Sequence, residues 1–308
     1  MAYNVSTLPD FTQVNPDQLI NKVVLGGKFV KRMTLQTGIK KDAALNYLDT
    51  TPVLQDGSDC GFAAQGDAEL TQRIIHTAVI KVNMAFCKRK LLGKYAEYKV
   101  RIAASADGDK MPFEDEIAEN VASKIAEKLE KAIFFGDTES TDADLKHFDG
   151  LVTLAKADTE VVDVAIADTK SAYEAIKAVY LAIPERVIDR AEIYVSPALF
   201  RRFMQDLVEK NLYHYNPGSE ELDEFAFPGS GTKVVKVDGL ATSGDTGYIL
   251  AADPAELFYG TDLENASEDF NIWFSDDADL YKLKAIWNSG VQYAFGDRIV
   301  LGTISKAA

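Results

Sequence analysis

The residues able to do chemistry are few and scattered. Three histidines, His76, His147 and His214, stand in three separate segments. None has a second ligand at the helical or hairpin spacing that would bring two donors onto one metal ion. The lysines after Gly26-Gly27 and Gly93 (Lys28, Lys94) lack the upstream glycine spacing of a phosphate loop and the Ser or Thr that holds its Mg²⁺. Gly229 and Gly231 begin like a dinucleotide fingerprint, but no third glycine follows and the next segment reads as a strand. There is no Gly-x-Ser-x-Gly elbow for a nucleophile. The run Asp137 to Asp149 resembles a calcium loop only in acidity: its sixth position is Asp142 instead of Gly, and its twelfth is Phe148 instead of Glu. Asp276, Asp277 and Asp279 read as a solvated turn, and nothing sets one acid in an apolar environment for acid–base work. The expectation is a protein with no catalytic site, no metal and no cofactor.

Charge is the more informative pattern. The 308 residues carry a net charge of −15, the wrong sign for a surface that displaces counterions from nucleic-acid phosphates. Yet Arg73, Lys81, Lys88, Arg89, Lys90, Lys94, Lys99 and Arg101 face a single acid, Glu97, within one stretch. A basic segment on an acidic body is either a solvated face or a surface that complements the acidic body of an identical subunit. Composition leaves both open. Apolar residues make up 47% of the chain, as in an ordinary globular protein. No apolar run of about 18 residues crosses a bilayer. Met1 to Ser6 lacks a basic region followed by an apolar stretch, so no secretory signal is expected. Cys60 and Cys87, the only cysteines, are then expected as reduced thiols in a cytoplasmic protein.

The elements that must carry these charges follow. Residues 1 to 66 are broken by glycines and prolines and read as an extended arm with a short helix near Pro16 to Val24. Ile74 to Cys87 alternates as a strand with a slip near Val79-Ile80. Cys87 to Tyr98 reads as a basic helix and Val100 to Ala104 as a returning strand, together a hairpin-like excursion. Pro112 opens a long helix to Phe135, with Glu114, Asp115, Glu116 and Glu119 at its positive end, and Lys124, Lys128 and Lys131 toward the other. Its buried stripe is Ile117, Val121, Ile125, Leu129 and Ile133. Asp168 is expected to cap a helix ending before Pro184, Ala191 to Val195 is a strand, and Ser196-Pro197 opens a second helix. Asn211 to Gly231 reads as a long loop. Strands then follow to the end, with turns at Gly239, Ser243-Gly244, Gly260, Asp276-Asp277 and Gly290.

This order resembles the major capsid protein family of tailed bacteriophages (the Hong Kong ninety-seven type shell fold, shared with encapsulins). The residues carrying it are the helix ending at Gly136-Asp137, the turn Phe148-Asp149-Gly150-Leu151, and the tail segments Lys233 to Leu240, Tyr259-Gly260-Thr261-Asp262, Phe270 to Ser275 and Gly290 to Leu301. The resemblance implies an α+β fold: an extended N-terminal arm (1–66), an elongated β-hairpin loop (67–106) and a peripheral domain with a spine helix (107–147, helix about 112–135). An axial α/β domain (148–252), peripheral return strands (253–294) and a C-terminal strand returning to the axial domain (295–308) complete it. It implies a structural protein, not an enzyme, that assembles as hexamers and pentamers into an icosahedral shell around double-stranded DNA. Implied partners are further copies of itself, portal, scaffolding and auxiliary capsid proteins, with packaged DNA touched only loosely and no membrane. The implied location is the virion capsid, assembled in the host cytoplasm. Some family members join a Lys to an Asn by an isopeptide bond, but no motif here identifies such a pair.

Inter-subunit contacts are expected at Lys81, Lys88, Arg89, Lys90, Lys94, Lys99 and Arg101, facing Glu114, Asp115, Glu116 and Glu119 or the acidic turn near Asp276. Tyr213, His214, Tyr215 and Asn216 are expected where copies converge at a capsomer centre. An encapsulin-like compartment and an enzyme of unrecognised α/β type stay open as alternatives.

Overall fold

The computed structural model describes residues 27–55, 65–87, 113–168, 171–212, 223–241, 246–262, 270–275, 277–278 and 280–305. The expected helix at Pro16 to Val24, the basic helix after Cys87 and the returning strand at Val100 to Ala104 lie outside these residues.

The chain enters through a short 3-10 turn, Val30–Arg32, and strand β1, Thr34–Gln36. Strands β2 (Asp42–Pro52) and β3 (Gly66–His76) form a two-stranded antiparallel ribbon, with Asp42 opposite His76 and Pro52 opposite Gly66. After a break at Thr77, β4 (Ala78–Cys87) leaves the ribbon. Helix α1 covers Phe113–Phe135, α2 Leu151–Ala157, β5 Val162–Ala167, α3 Ala172–Ala182, β6 Glu192–Val195 and α4 Pro197–Glu209. Strands β7 (Glu224–Ala226), β8 (Lys233–Lys236), β9 (Thr246–Ala252), β10 (Leu257–Gly260), β11 (Phe270–Ser275), β12 (Leu280–Tyr293) and β13 (Val300–Ser305) complete the fold.

Two larger sheets organise these strands. One has six, in the order β5-β13-β9-β6-β8-β7, and the other runs β1-β10-β12-β11 with β4 also paired to β12. The six-stranded sheet is covered on both faces, which explains its unbroken apolar runs. Because side chains alternate along a strand, Tyr194, Val235, Leu250, Ala252 and Leu301 join a core with α1 and α2. Their sequence neighbours Ile193, Val195, Val234, Ile249, Ala251 and Val300 join a second core with α3 and α4. The first core runs on into the other sheet through Ile80, Leu257, Tyr259, Leu283, Ala285 and Trp287. Helix α1 lies along that shared core through Val121, Ala122, Ile125, Leu129, Ala132, Ile133 and Phe134.

The long helix agrees with its expected span, but several local expectations are corrected. The lysines of α1 do not serve its C-terminal end, since its last turn holds no base. Instead Lys124 pairs with Glu127 at 2.7 Å and Lys128 with Asp144 at 2.8 Å. Helix α3 is capped by Ser171, whose hydroxyl accepts from the Glu174 N–H, and not by Asp168, whose own N–H is taken by the Ser305 carbonyl of β13. Ser196 caps α4 as expected, with Pro197 in the first turn. The expected loop after Asn211 contains β7, an edge strand paired to β8.

The N-terminal assignments change most. Residues 27–52, read from sequence as part of an extended arm, pack on the body: Phe29, Val30, Met33, Ile39 and Leu45 are buried, β1 joins a sheet, and β2 pairs along its full length. The ribbon therefore begins inside the segment assigned to the arm. The excursion expected after Ile74 is not one over its described part, because β4 pairs with β12 from Ala78↔Ser289 to Cys87↔Leu280. Cys87 ends that strand rather than opening a helix.

Gly260 and Gly290 are not turns. They face each other across the β10–β12 ladder, and a Cβ on Gly290 would stand 2.3 Å from the His76 carbonyl oxygen. The glycine lets β12 pass under the crossing from β3 to β4. Gly290→Ala should lower stability by about 1–3 kcal/mol through overpacking. Gly231→Ala, with nothing within 4 Å of the new Cβ, should stay within about 0.5 kcal/mol of the parent. Denaturant unfolding of both variants checks the pair.

Candidate subunit interface

Among the described residues no group of three or more His, Cys, Asp and Glu side chains converges as a metal site would. His76 instead lies 3.0 Å from Asp42 at the open end of the ribbon. Two surfaces among the described residues are candidates for contact with another copy.

The ribbon is the first. A two-stranded ribbon by itself is marginal in water, and among the described residues the core of this one lies at its base, where Ile39, Leu45 and Ile75 cluster with Ala43, Tyr47 and Phe258. Farther out Leu70 is 68% exposed and Leu54 is 97% exposed. Between Asp42 and His76 the sequence holds Asp42, Asp49, Asp56, Asp59, Asp67 and Glu69 against one base, Arg73.

The base of the ribbon is held by Arg73. Its guanidinium donates to Asp158 Oδ2 at 2.8 Å and to Glu160 Oε2 at 2.9 Å and lies 4.8 Å over the Tyr293 ring. The Tyr293 hydroxyl donates to the same Asp158 oxygen at 2.8 Å. Burial works against ionising Asp158, but the Glu160 N–H, the Arg73 guanidinium and the Tyr293 hydroxyl together hold its carboxyl below the ordinary range. Arg73, counted above in the basic segment, is thus consumed within the chain.

The second surface is the face of the β4–β12–β11 sheet turned away from α1. On β4 the alternation buries Ile80 and exposes Val79 and Lys81. The register brings Lys81 opposite Ile286, Asn83 opposite Lys284 and Ala85 opposite Lys282, and places Trp273 beside Lys282. The same face therefore carries Lys81, Lys284 and Lys282, with Val79 and Trp273 among the exposed apolar side chains. Lys282 donates to Ser275 Oγ at 3.0 Å.

Of the contact residues expected from sequence, Lys81 is on this face. Lys88, Arg89, Lys90, Lys94, Lys99 and Arg101 lie outside the described residues, as do Tyr213, His214, Tyr215 and Asn216. Glu114, Asp115, Glu116 and Glu119 fall on the first two turns of α1. Sequence reasoning missed Lys282 and Lys284, since it grouped charges by nearness along the chain.

Asp158 is ionised more readily folded than unfolded. Its contribution is therefore present above the ordinary carboxylate range and is lost as pH falls through its lower folded value. Arg73→Ala should cost about 1–3 kcal/mol near pH 7, with the difference from the parent shrinking below about pH 4. Urea unfolding of parent and variant across that range measures both.

No protein-family model matches this chain, and no curated protein matches it. Solved structures do. A chain of the satellite phage P4 procapsid, whose structure includes the size determination (Sid) protein, superposes with a TM-score of 0.59 at 12% identity. That match covers 94% of this chain and 99% of that one. A chain from the asymmetric unit of the bacteriophage PhiM1 mature capsid gives a TM-score of 0.55 at 12% identity, covering 92% and 88%. A virus-like particle from Pyrococcus furiosus gives 0.52 at 9% identity, covering 94% and 97%. At these identities the likeness is one of fold, and it spans nearly the whole of each chain: this protein has the α+β shell-building fold of phage capsid subunits.

Proposed function

We infer that this chain is a major capsid protein, a structural subunit that assembles with copies of itself into the shell of a tailed phage. One observation carries the reading: the likeness in fold covers 94% of this chain and 99% of the P4 procapsid chain, and 92% and 88% for the PhiM1 capsid chain. The exposed ribbon and the lysine face support it, because both are surfaces that a second copy would complete. In this reading α1 is the spine helix. The β4–β12–β11 sheet is the peripheral domain, the six-stranded sheet with α3 and α4 is the axial domain, and the ribbon of β2 and β3 is the elongated loop.

The contacts follow from charge. The acidic ribbon of one copy meets the Lys81, Lys282 and Lys284 face of the next, with Lys88, Arg89, Lys90, Lys94, Lys99 and Arg101 extending that basic surface. The Tyr213 to Asn216 loop lies at the capsomer centre, where hexamers and pentamers close. Portal, scaffolding and auxiliary proteins are the remaining partners, and packaged DNA meets the acidic subunit only through loose contact. The subunit turns over no substrate, and its place is the virion, reached by assembly in the host cytoplasm. The Pyrococcus furiosus particle favours one second reading, an encapsulin-like compartment that would enclose cargo protein instead of DNA.

Negative-stain microscopy of the protein expressed alone and with its gene neighbours tests the reading. Closed shells are expected, and DNA inside particles purified from an infected or induced host separates phage from compartment. Species no larger than dimers under every condition would sink it. Exposed ion pairs are worth about 0–1 kcal/mol each, so charge acts here through number and steering. Lys81→Glu with Lys284→Glu should block or slow assembly severalfold at low salt while leaving the monomer folded. Assembly equal to the parent's would make the lysine face merely solvated.

A further inference from the structure

Among the described side chains of α1, Glu130 is the acid on the buried side. It is 7% exposed, and its Oε1 has no hydrogen-bond partner among the described residues. A buried polar oxygen without a partner costs free energy, and a buried unpaired charge costs far more. Two elements wall it in. From the entering segment, the Phe29 N–H donates to the carboxyl, and Lys28 is the cation that faces it. The Lys28 ammonium is itself paired with Asp223. From the turn Asp238–Leu240, Asp238 adds a like charge. The backbone of this turn meets α1 directly: a Cβ on Gly239 would stand 2.4 Å from the Glu130 carbonyl oxygen.

The helix and the Asp238–Leu240 turn are in backbone contact, whereas residues 27–33 lie over Glu130 as a separate strap. A Cβ at Gly27 would sit 3.6 Å from Glu130 Oε2. The strap spans from α1 to the six-stranded sheet. The Phe29 ring packs on Phe134 at 4.5 Å and edge-on to Tyr194 at 4.8 Å. Arg32 donates to both oxygens of Glu192, at 3.0 and 2.9 Å, and to Glu224 at 2.6 Å.

We propose that Glu130 is a proton-operated latch on residues 27–33: while its carboxyl is neutral the strap lies shut between α1 and the six-stranded sheet, and when the proton leaves to solvent the strap opens. A neutral carboxyl tolerates the apolar site and the nearby Asp238. A carboxylate must regain water, and lifting the strap is how water reaches it.

The sign follows from the closed state. Burial first, and the Asp238 charge second, push the Glu130 carboxyl from 4.5 up to about 7, against the Phe29 N–H and Lys28. The closed form thus holds its proton more tightly than the open form. The open population should rise about tenfold per pH unit between about 4.5 and 7, then level off.

Native-state hydrogen exchange on the full-length monomer, corrected for intrinsic rates and followed from pH 5 to 8, reads this directly. Amides of residues 27–33 should lose protection about tenfold per unit up to pH 7 and then plateau, while α3 stays constant. Glu130→Gln should keep the strap protected across the range. Asp238→Asn should move the plateau to lower pH, and it keeps the test open if the glutamine variant folds poorly. Equal protection of the strap at pH 5 and pH 8 would overturn the latch. So would a Glu130→Gln variant that keeps the parent's slope, an unmoved plateau in Asp238→Asn, or α3 amides that follow the strap. None of these outcomes depends on whether the protein builds a shell.

Discussion

The structure hangs on the burial of one helix stripe against a sheet already covered on its other face. Every second residue of β6, β8, β9 and β13 points at α1 and α2, and the residues between point at α3 and α4. Neither face can be uncovered without exposing a row of Val, Ile and Leu, each contributing about 1.5–3 kcal/mol when buried. Helix α1 reaches from this sheet to the β12 region of the other, through Leu283, Ala285 and Trp287, so one continuous core fixes how the two sheets sit. The strap with Phe29 fills the remaining gap between Phe134 and Tyr194.

Magnitudes divide the labour between this core and the charges. An exposed ion pair contributes about 0–1 kcal/mol, far less than any buried member of the stripe, so the fold does not rest on the surface charges. The buried or half-buried pairs, Arg32 with Glu192 and Arg73 with Asp158, fix where the strap and the ribbon meet the body. The ribbon segment holds six acids against one arginine, and Lys81, Lys282 and Lys284 share one sheet face. A charge pattern of this kind sets register and encounter rate between copies better than it sets stability.

Much of this was legible in the sequence where a pattern was local. The long helix announced itself by Pro112, its acidic first turns and the spacing Val121, Ile125, Leu129, Ile133, and Ser196-Pro197 marked the start of α4. The family resemblance rested on such pieces in order, and the fold agrees with it. The misses share a cause, which is that the deciding partner is distant in the chain. β2 buries only Leu45 among its described residues, so no alternation betrayed it, and its identity as a strand comes from pairing with β3. Gly290 looked like a turn because its reason, the His76 carbonyl pressing on it, lies more than two hundred residues upstream. Glu130 had no signal of burial, since Phe29 and Asp238, which close over it, lie about a hundred residues away on either side in the sequence. The lysine face was only half visible: Lys81 belonged to a basic run, whereas Lys282 and Lys284 join it through the β4–β12 ladder.

The central claim is that the subunit body is complete by itself while the ribbon of β2 and β3 is completed by another copy. Hydrogen exchange compared between dispersed monomer and assembled particle tests this most directly. Amides of α1 near Leu129 to Phe134 and of β9 should be strongly protected in both states. Those of β2 and β3 beyond the Leu45–Ile75 base should exchange quickly in the monomer and slow at least a hundredfold on assembly. A ribbon as well protected in the monomer as in the particle would contradict the account.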